Sequence, residues 1–344
     1  MSPEIVIPHP FDRPHFGGIR RVIQAVTSEL SGEFDFRVLT PEPSDIAREN
    51  LDGVEFEVFD KKLPGWGTDY YRRSVRRRLD GADLVWNHSF FFNSVVANSR
   101  PPSVFTYHSF RQNPQTRFPR GIPELAHVVR TRLMKRGFRY MCGNERVVCV
   151  SDKSRDLVES RLKASTVRIH NGADYLGSGI SDDDEGYIFW SDGIAHLPYV
   201  AKRVDYPIKL LSGPEELERF DSVEVIKGTV SDDRMAELYS KCSFFVSNCF
   251  NEGFGIPPLE ANFFGKPSIV IDKEVHDENF EHGVNGFRAA NAAEMLEKVE
   301  LLVDDASLRR ELGKSAYEAV NDRFTWHRAA EGYRQEFLSV IENR

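Results

Sequence analysis

The stretch Val246–Asp272, VSNCFNEGFGIPPLEANFFGKPSIVID, decides how the rest of the chain is read. It opens as an apolar strand and turns through Asn251-Glu252-Gly253-Phe254-Gly255. Ile256-Pro257-Pro258 then starts a helix, because proline is tolerated in a first turn where its missing N–H would be unpaired anyway. Gly265-Lys266-Pro267 ends that helix, and Ser268–Ile271 reads as a second strand. Glu252 falls in the loop and Glu260 in the first turn of the helix, so two carboxylates face one helix mouth. Gly253 and Gly255 leave backbone N–H groups open between them. A helix N-terminus and an open glycine loop attract phosphate. A carboxylate accepts two hydrogen bonds from a sugar diol. Taken singly, Glu260 is ordinary as a charge favouring the helix dipole and Glu252 as a loop charge. The coincidence of two carboxylates, two glycines and two prolines points to a ligand carrying both hydroxyls and phosphates.

Outward from this stretch the chain alternates strands and helices. With 344 residues, 40% hydrophobic and 28% charged, it is long enough for two domains. In the first half, Glu4–Ile7 is a strand, Pro8–Phe16 a loop closed by Gly17-Gly18, and Arg20–Leu30 an amphipathic helix. Leu84–His88 and Ser103–Tyr107 are buried strands ending in histidines, His88 and His108. A histidine at a strand's C-terminal end lies where open α/β sheets bind ligands. The other reading of either is a hydrogen-bonded structural histidine. Thr166–His170 ends in Asn171-Gly172-Ala173-Asp174, a turn signature. The acidic loop Ser178–Gly186 follows, and the domain boundary is placed beside it. The second half repeats strand–helix units, which implies a second doubly wound sheet.

The stretch Glu252-Gly253-Phe254-Gly255-Ile256-Pro257-Pro258-Leu259-Glu260-Ala261, with Gly265-Lys266-Pro267 after it, resembles the E-x7-E signature of retaining glycosyltransferases of family 4. The resemblance implies a GT-B fold: α/β, with two Rossmann-like domains facing each other across a cleft. Residues 1–175 would form the acceptor-side domain, 176–325 the donor-binding domain, and the helix at about 326–344 would pack back on the first. It further implies that Glu252 contacts the donor sugar and Glu260 the ribose. Gly253, Phe254 and Gly255 would offer amides to sugar and phosphate. Gly17-Gly18 matches the Gly-Gly loop that the family sets against donor diphosphate and acceptor. His108 matches a histidine near the reaction centre. The donor would be a nucleotide-diphosphate sugar, the acceptor a glycan or lipid-linked molecule, and no metal or other cofactor is needed in that scheme.

One departure stands out. The family usually carries an arginine and a lysine after the first strand of its second domain, where they neutralise the leaving diphosphate. Here Tyr187–Trp190 is followed by Ser191-Asp192-Gly193-Ile194-Ala195-His196, without the pair. Asp192 would repel a diphosphate if it pointed inward. Arg20, Lys202, with Arg203 beside it, and Lys227 are the candidate replacements. A non-catalytic partner or glycan-binding subunit of the same fold is the alternative that this departure favours.

Charge and composition limit the remaining classes. A formal net charge of -8 disfavours nucleic acid as a partner. Cys142, Cys149, Cys242 and Cys249 form no C-x-x-C pair, so a zinc site is not expected and the cysteines read as packing. No run approaches the roughly 18 apolar residues that span a bilayer. The beginning MSPEIVIPHPFDRP lacks the regions of a signal peptide, so a cytoplasmic location is expected. The loop Arg111–Gly121 is a candidate border of the acceptor site. The basic amphipathic segment His127–Met141 is either a peripheral contact with an anionic membrane face or a solvated helix face.

Overall fold

In the computed structural model the described residues are 2–9, 17–40, 51, 54–59, 69–108, 140–177, 179–191, 193–228, 230–250 and 252–343. The loop over 10–16, the proline-rich loop at 111–121, the basic segment from 127 to 139 and Asp192 lie outside them. The chain divides into two units, residues 1–170 with 329–344, and residues 171–328.

The first unit is built on a seven-stranded parallel sheet. Its strands are β1 (Glu4–Pro8), β2 (Asp35–Thr40), β3 (Glu55–Val58), β4 (Leu84–Asn87), β5 (Ser103–Tyr107), β6 (Arg146–Cys149) and β7 (Thr166–Arg168). Their order is β3-β2-β1-β4-β5-β6-β7. The central strands are buried throughout, which is why IVI, LVW and SVFTY read as apolar runs rather than as alternating patterns. The helix Gly17–Leu30 follows β1 and buries Val22, Ile23 and Val26. It begins at Gly17, so Gly17-Gly18 is the first turn of a helix rather than a loop before it. The first-turn N–H groups of any helix lack partners within it, so an open glycine backbone at that end stays available to a ligand. A short helix, Phe90–Val96, follows β4 and was not legible in the sequence.

The second unit is a six-stranded parallel sheet, ordered β10-β9-β8-β11-β12-β13. Its strands are β8 (Ile188–Ser191), β9 (Ile208–Leu211), β10 (Val223–Ile226), β11 (Phe244–Ser247), β12 (Ser268–Ile271) and β13 (Gly286–Ala289). The core holds Trp190, Phe244 and Val246 against Val299, Leu302 and Leu312 from the helices Ala292–Asp304 and Ala306–Arg323. Asn171–Asp174 is not a turn. It is an irregular segment held to the end of the unit: the Ala173 amide donates to the Phe324 carbonyl at 2.9 Å, and Asp174 Oδ1 accepts from the Trp326 amide at 2.6 Å. Gly172 is required there, because a Cβ would meet the Trp326 nitrogen at 2.3 Å.

Both sheets reverse strand order once, between β1 and β4 and between β8 and β11. In a parallel sheet every strand ends at the same edge, and ligands bind beyond that edge at the reversal. The final helix, Trp326–Glu342, belongs to the first unit from Ala329 onward. Tyr333 and Phe337 pack on Trp86 with ring centroids 5.0 and 5.2 Å away, and Arg334 pairs with Glu33 at 2.6 Å. Such aromatic pairs contribute about 0.5–1.5 kcal/mol each beyond their buried area. No helix among the described residues is long and apolar enough to cross a membrane.

Gly313 of the helix Ala306–Arg323 lies so close to the turn at Gly265 that a Cβ would meet the Gly265 carbonyl oxygen at 2.0 Å. Gly313→Ala is expected to destabilise the chain by about 1–3 kcal/mol in urea unfolding, because backbone must move to admit the methyl. Gly32→Ala, where no atom lies within 4 Å, is expected to shift stability by no more than about 0.5 kcal/mol.

Candidate functional site

The ligand edge of the second unit is shaped by the turn from β11 into the helix Ile256–Phe263. Gly255 caps this helix in the left-handed region, at φ 90° and ψ 54°. A side chain there would be strained, and its Cβ would lie 3.0 Å from His276 Cε1. Gly255 gives no side-chain cap, and Pro257 and Pro258 have no N–H. The mouth therefore offers the amides of Gly255 and Ile256 instead of a full first turn. The Gly253 amide already donates to Glu252 Oε1 at 3.3 Å, which holds the half-buried Glu252 against the loop.

Glu260 is the fifth residue of this helix and so lies in its second turn, not its first. The helix begins only after the left-handed Gly255, and this moves Glu260 one turn in. Its side chain is 6% exposed, and Tyr239 from the helix Asp232–Lys241 donates to Oε2 at 3.1 Å. A carboxylate in such a place is costly unless its oxygens are hydrogen-bonded.

The loop is braced from behind by side chains that carry no functional signal in the sequence. Asn279 Nδ2 donates to the Phe254 carbonyl at 2.6 Å, and Asn279 Oδ1 lies 3.3 Å from His276 Nδ1. Asn285 Nδ2 donates to the Asn279 carbonyl at 2.9 Å. Burial pushes His276 down to about 4, so its ring is neutral near pH 7. The segment HDENFEHGVNG looks like a polar surface loop, yet His276, Asn279 and Asn285 are all buried. Only their joint burial against Phe254 reveals the role.

Cations are distributed differently from the sequence expectation. Lys227 is 54% exposed and already faces Glu215 at 3.2 Å and Glu218 at 3.6 Å. Lys202 is exposed at the C-terminal end of the helix Leu197–Ala201, which leads away from the strand ends, and Arg203 is folded over the Tyr199 ring. Lys273, not singled out in the sequence, directly follows the end region of β12. Its Nζ lies 5.6 Å from the Phe250 ring, and His196 meets the same ring edge-on at 5.7 Å. Beneath them, Gly193 packs on the main chain of Asn248, where a Cβ would meet the Asn248 oxygen at 2.2 Å. The Asn248 side chain is 1% exposed, and neither amide atom has a hydrogen-bond partner among the described residues. The two loops at the β8/β11 reversal thus meet around an unsatisfied polar group.

In the first unit, Gly17, Gly18 and Arg20 occupy the first turn of the helix after β1, with Arg20 half-buried. Next to the β1/β4 reversal, His88 and His108 are brought together: His88 Nδ1 lies 2.8 Å from His108 Nε2. His9, just after β1, sits edge-on to His88 with centroids 6.5 Å apart. Burial pushes His9 and His108 down to about 3 and His88 well below the ordinary imidazole value, and the neighbouring rings add to it for His9 and His88. Among the described residues no three His, Cys, Asp or Glu side chains group to hold a metal ion. Cys149 and Cys242 are buried thiols pushed up to about 12, as packing residues are.

Comparison with known proteins bears on this geometry. A family model described as Glycosyltransferase Family 4 matches residues 16–175, and one described as Glycosyl transferases group 1 matches residues 214–319. An uncharacterised glycosyltransferase of Methanocaldococcus jannaschii is 26% identical over 224 residues, 60% of this chain and 63% of that protein. The O-antigen chain mannosyltransferase RfbU of Salmonella typhimurium is 38% identical over 94 residues, 27% of this chain and 26% of that one. The matches thus span less than two thirds of either relative's length. Among solved structures, a sucrose-phosphate synthase of Thermosynechococcus elongatus superposes with a TM-score of 0.80, covering 100% of both chains at 15% identity. Anabaena HepE in complex with UDP-glucose gives 0.79, covering 98% of this chain and 99% of that one at 17% identity. The fold is GT-B.

Three buried histidines, His9, His88 and His276, and the half-buried His108 make stability depend on pH with a definite sign. Each is neutral when folded and takes up a proton near pH 6.5 when unfolded. Their contribution is complete above about pH 6.5 and is lost as the pH falls toward 3–4. The unfolding free energy from urea titrations is expected to fall steadily from pH 7 to pH 4.5, by about 2 kcal/mol per histidine at pH 5. His276→Gln is expected to flatten that slope, and an unchanged slope would contradict the neutral burial of His276.

Proposed function

From a GT-B chain whose halves match glycosyltransferase family models, we infer a retaining glycosyltransferase that moves a sugar from a nucleotide-diphosphate-sugar donor to a glycan or lipid-linked acceptor. The observation that carries the reading is the buried Glu260 carboxylate, held by Tyr239 inside a helix whose mouth is opened by a left-handed glycine and two prolines. Glu260 takes the ribose diol of the donor. Glu252 takes hydroxyls of the transferred sugar, and the Gly255 and Ile256 amides meet the phosphates. Lys273 supplies the positive charge that the loop after β8 lacks, and the orphaned Asn248 amide gives a neutral hydrogen-bonding partner nearby. From the first unit, Gly17, Gly18 and His108 serve the reaction centre, with Arg20 a further phosphate contact.

In the reaction the bond from the anomeric carbon to the diphosphate oxygen breaks, and the acceptor oxygen bonds to the same face of that carbon. The acceptor's proton passes to the departing phosphate oxygen, so configuration is retained. This scheme needs stabilisation of charge on the diphosphate and no bound metal. Support for the donor class comes from HepE, solved with UDP-glucose. Support for a lipid-linked acceptor comes from a Campylobacter jejuni relative, 36% identical over 84 residues, whose name specifies N-acetylgalactosaminyl transfer to a diphospho-undecaprenol-linked sugar. A cytoplasmic location is proposed with it, and the segment 127–141 is either a peripheral membrane contact or a solvated helix face. The engagement of Lys227 and the outlying Lys202 keep a non-catalytic partner subunit as a second reading, and silence across a panel of nucleotide sugars would favour it.

Calorimetry with UDP and GDP tests the donor site. Glu260→Ala is expected to weaken the nucleotide that binds at least about tenfold, as loss of charge-assisted hydrogen bonds does; an unchanged Kd would overturn the assignment. Lys273→Ala is expected to weaken the same nucleotide by about tenfold, and Glu252→Ala to reduce transfer far more than binding. Equal losses at Glu252 would remove the division of labour between the two glutamates.

A further inference from the structure

The turn after β4 is built to hold one ring still. Asn87 Oδ1 accepts from the Ser89 amide at 3.0 Å, and Asn87 Nδ2 donates to Asn93. Trp86 lies against the His88 ring at 4.3 Å, and its Nε1 donates to Thr106 Oγ1 on β5 at 2.9 Å. Trp86 and His88 share one face of β4, as Thr106 and His108 share one face of β5. The two histidines therefore meet, their rings within 19° of parallel.

Two neutral imidazole nitrogens 2.8 Å apart share one proton, so one ring donates and the other accepts. The atom on the far side of His88 decides which. His88 Nε2 is buried and has no hydrogen-bond partner among the described residues. A buried N–H without a partner is rarer than an unfilled acceptor. The His88 proton therefore belongs on Nδ1, where it is used, rather than on Nε2, where it would be stranded. His108 Nε2 is then an acceptor, and a neutral His108 must carry its own proton on Nδ1.

We propose that His88 is a positioning residue that fixes His108 as its Nδ1–H tautomer, so that His108 serves the transfer site as a hydrogen-bond donor and not as a base. The functional half of this rests on the assignment of His108 to the reaction centre; the tautomer does not. A neutral donor suits an oxygen with free lone pairs, such as a donor-sugar hydroxyl or a phosphate oxygen. It does not take the acceptor's proton, which leaves the departing phosphate oxygen as the proton's destination. Low-dielectric surroundings keep both rings uncharged over the neutral range.

The test is a two-bond ¹H–¹⁵N correlation spectrum of the full chain labelled with ¹⁵N-histidine, with peaks assigned from His88→Asn and His108→Gln. The expected result is a protonated-type shift at His108 Nδ1 and a bare-type shift at Nε2. The reverse pattern, or a charged ring at pH 7, overturns the proposal, whatever the chain transfers. With an active donor–acceptor pair, His88→Leu is expected to lose at least about tenfold in kcat, as misplaced reacting groups do, with nucleotide affinity unchanged. His88→Asn, whose amide puts a donor near the old Nδ1, is expected to restore most of it. Full activity in His88→Leu, or no recovery in a folded His88→Asn with the His108 tautomer intact, overturns the positioning role. Should the leucine variant fail to fold, the spectrum and the asparagine variant decide.

Discussion

The second unit depends on a carboxylate kept where carboxylates are expensive. Glu260 is 6% exposed, and its hydrogen bond from Tyr239 ties the helix Ile256–Phe263 to the helix Asp232–Lys241. A packed interior would ordinarily replace such a group with a hydrocarbon, at no loss of stability. A carboxylate at that place is what the proposed ribose contact uses. The rest of the site follows from where that helix can start. Gly255 must adopt a left-handed conformation against His276, and Asn279 must hold the Phe254 carbonyl, or the mouth would not face the strand ends.

The first unit applies the same rule with other chemistry. Parallel strands deliver His9, His88 and His108 to one edge, next to the place where strand order reverses. Burial makes them neutral, and neutrality turns an imidazole from a charge into an oriented donor and acceptor. Helix Gly17–Leu30 begins at the same reversal, with its first turn opened by two glycines.

Much of this was legible in the sequence, for identifiable reasons. Strands buried on both faces announce themselves as apolar runs, so β4, β5, β11 and β12 could be read from composition alone. The signal failed where it was short or disguised. β13, GFRA, opens on glycine and carries an arginine, and Phe90–Val96 is barely two turns. The proline positions alone put Glu260 a turn too early, because they do not show the left-handed Gly255. Gly17-Gly18 looks like a loop in the sequence because glycine is a poor helix former, although the first turn tolerates it. Lys273, Asn279 and His276 lie in a polar run whose burial appears only after β12 and β13 are paired. The pairing of His88 with His108 needed the β4–β5 neighbourhood, which no spacing within either strand reveals.

The central claim is that nucleoside diphosphate is held at the mouth of the helix Ile256–Phe263. Amide hydrogen exchange of the full chain, with and without saturating UDP or GDP, tests it most directly. The account predicts slowed exchange across residues 252–264 with the nucleotide that binds, through the proposed contacts of the Gly255 and Ile256 amides and the Glu260 carboxylate. Nucleotide binding that leaves 252–264 unchanged and protects another segment would contradict it.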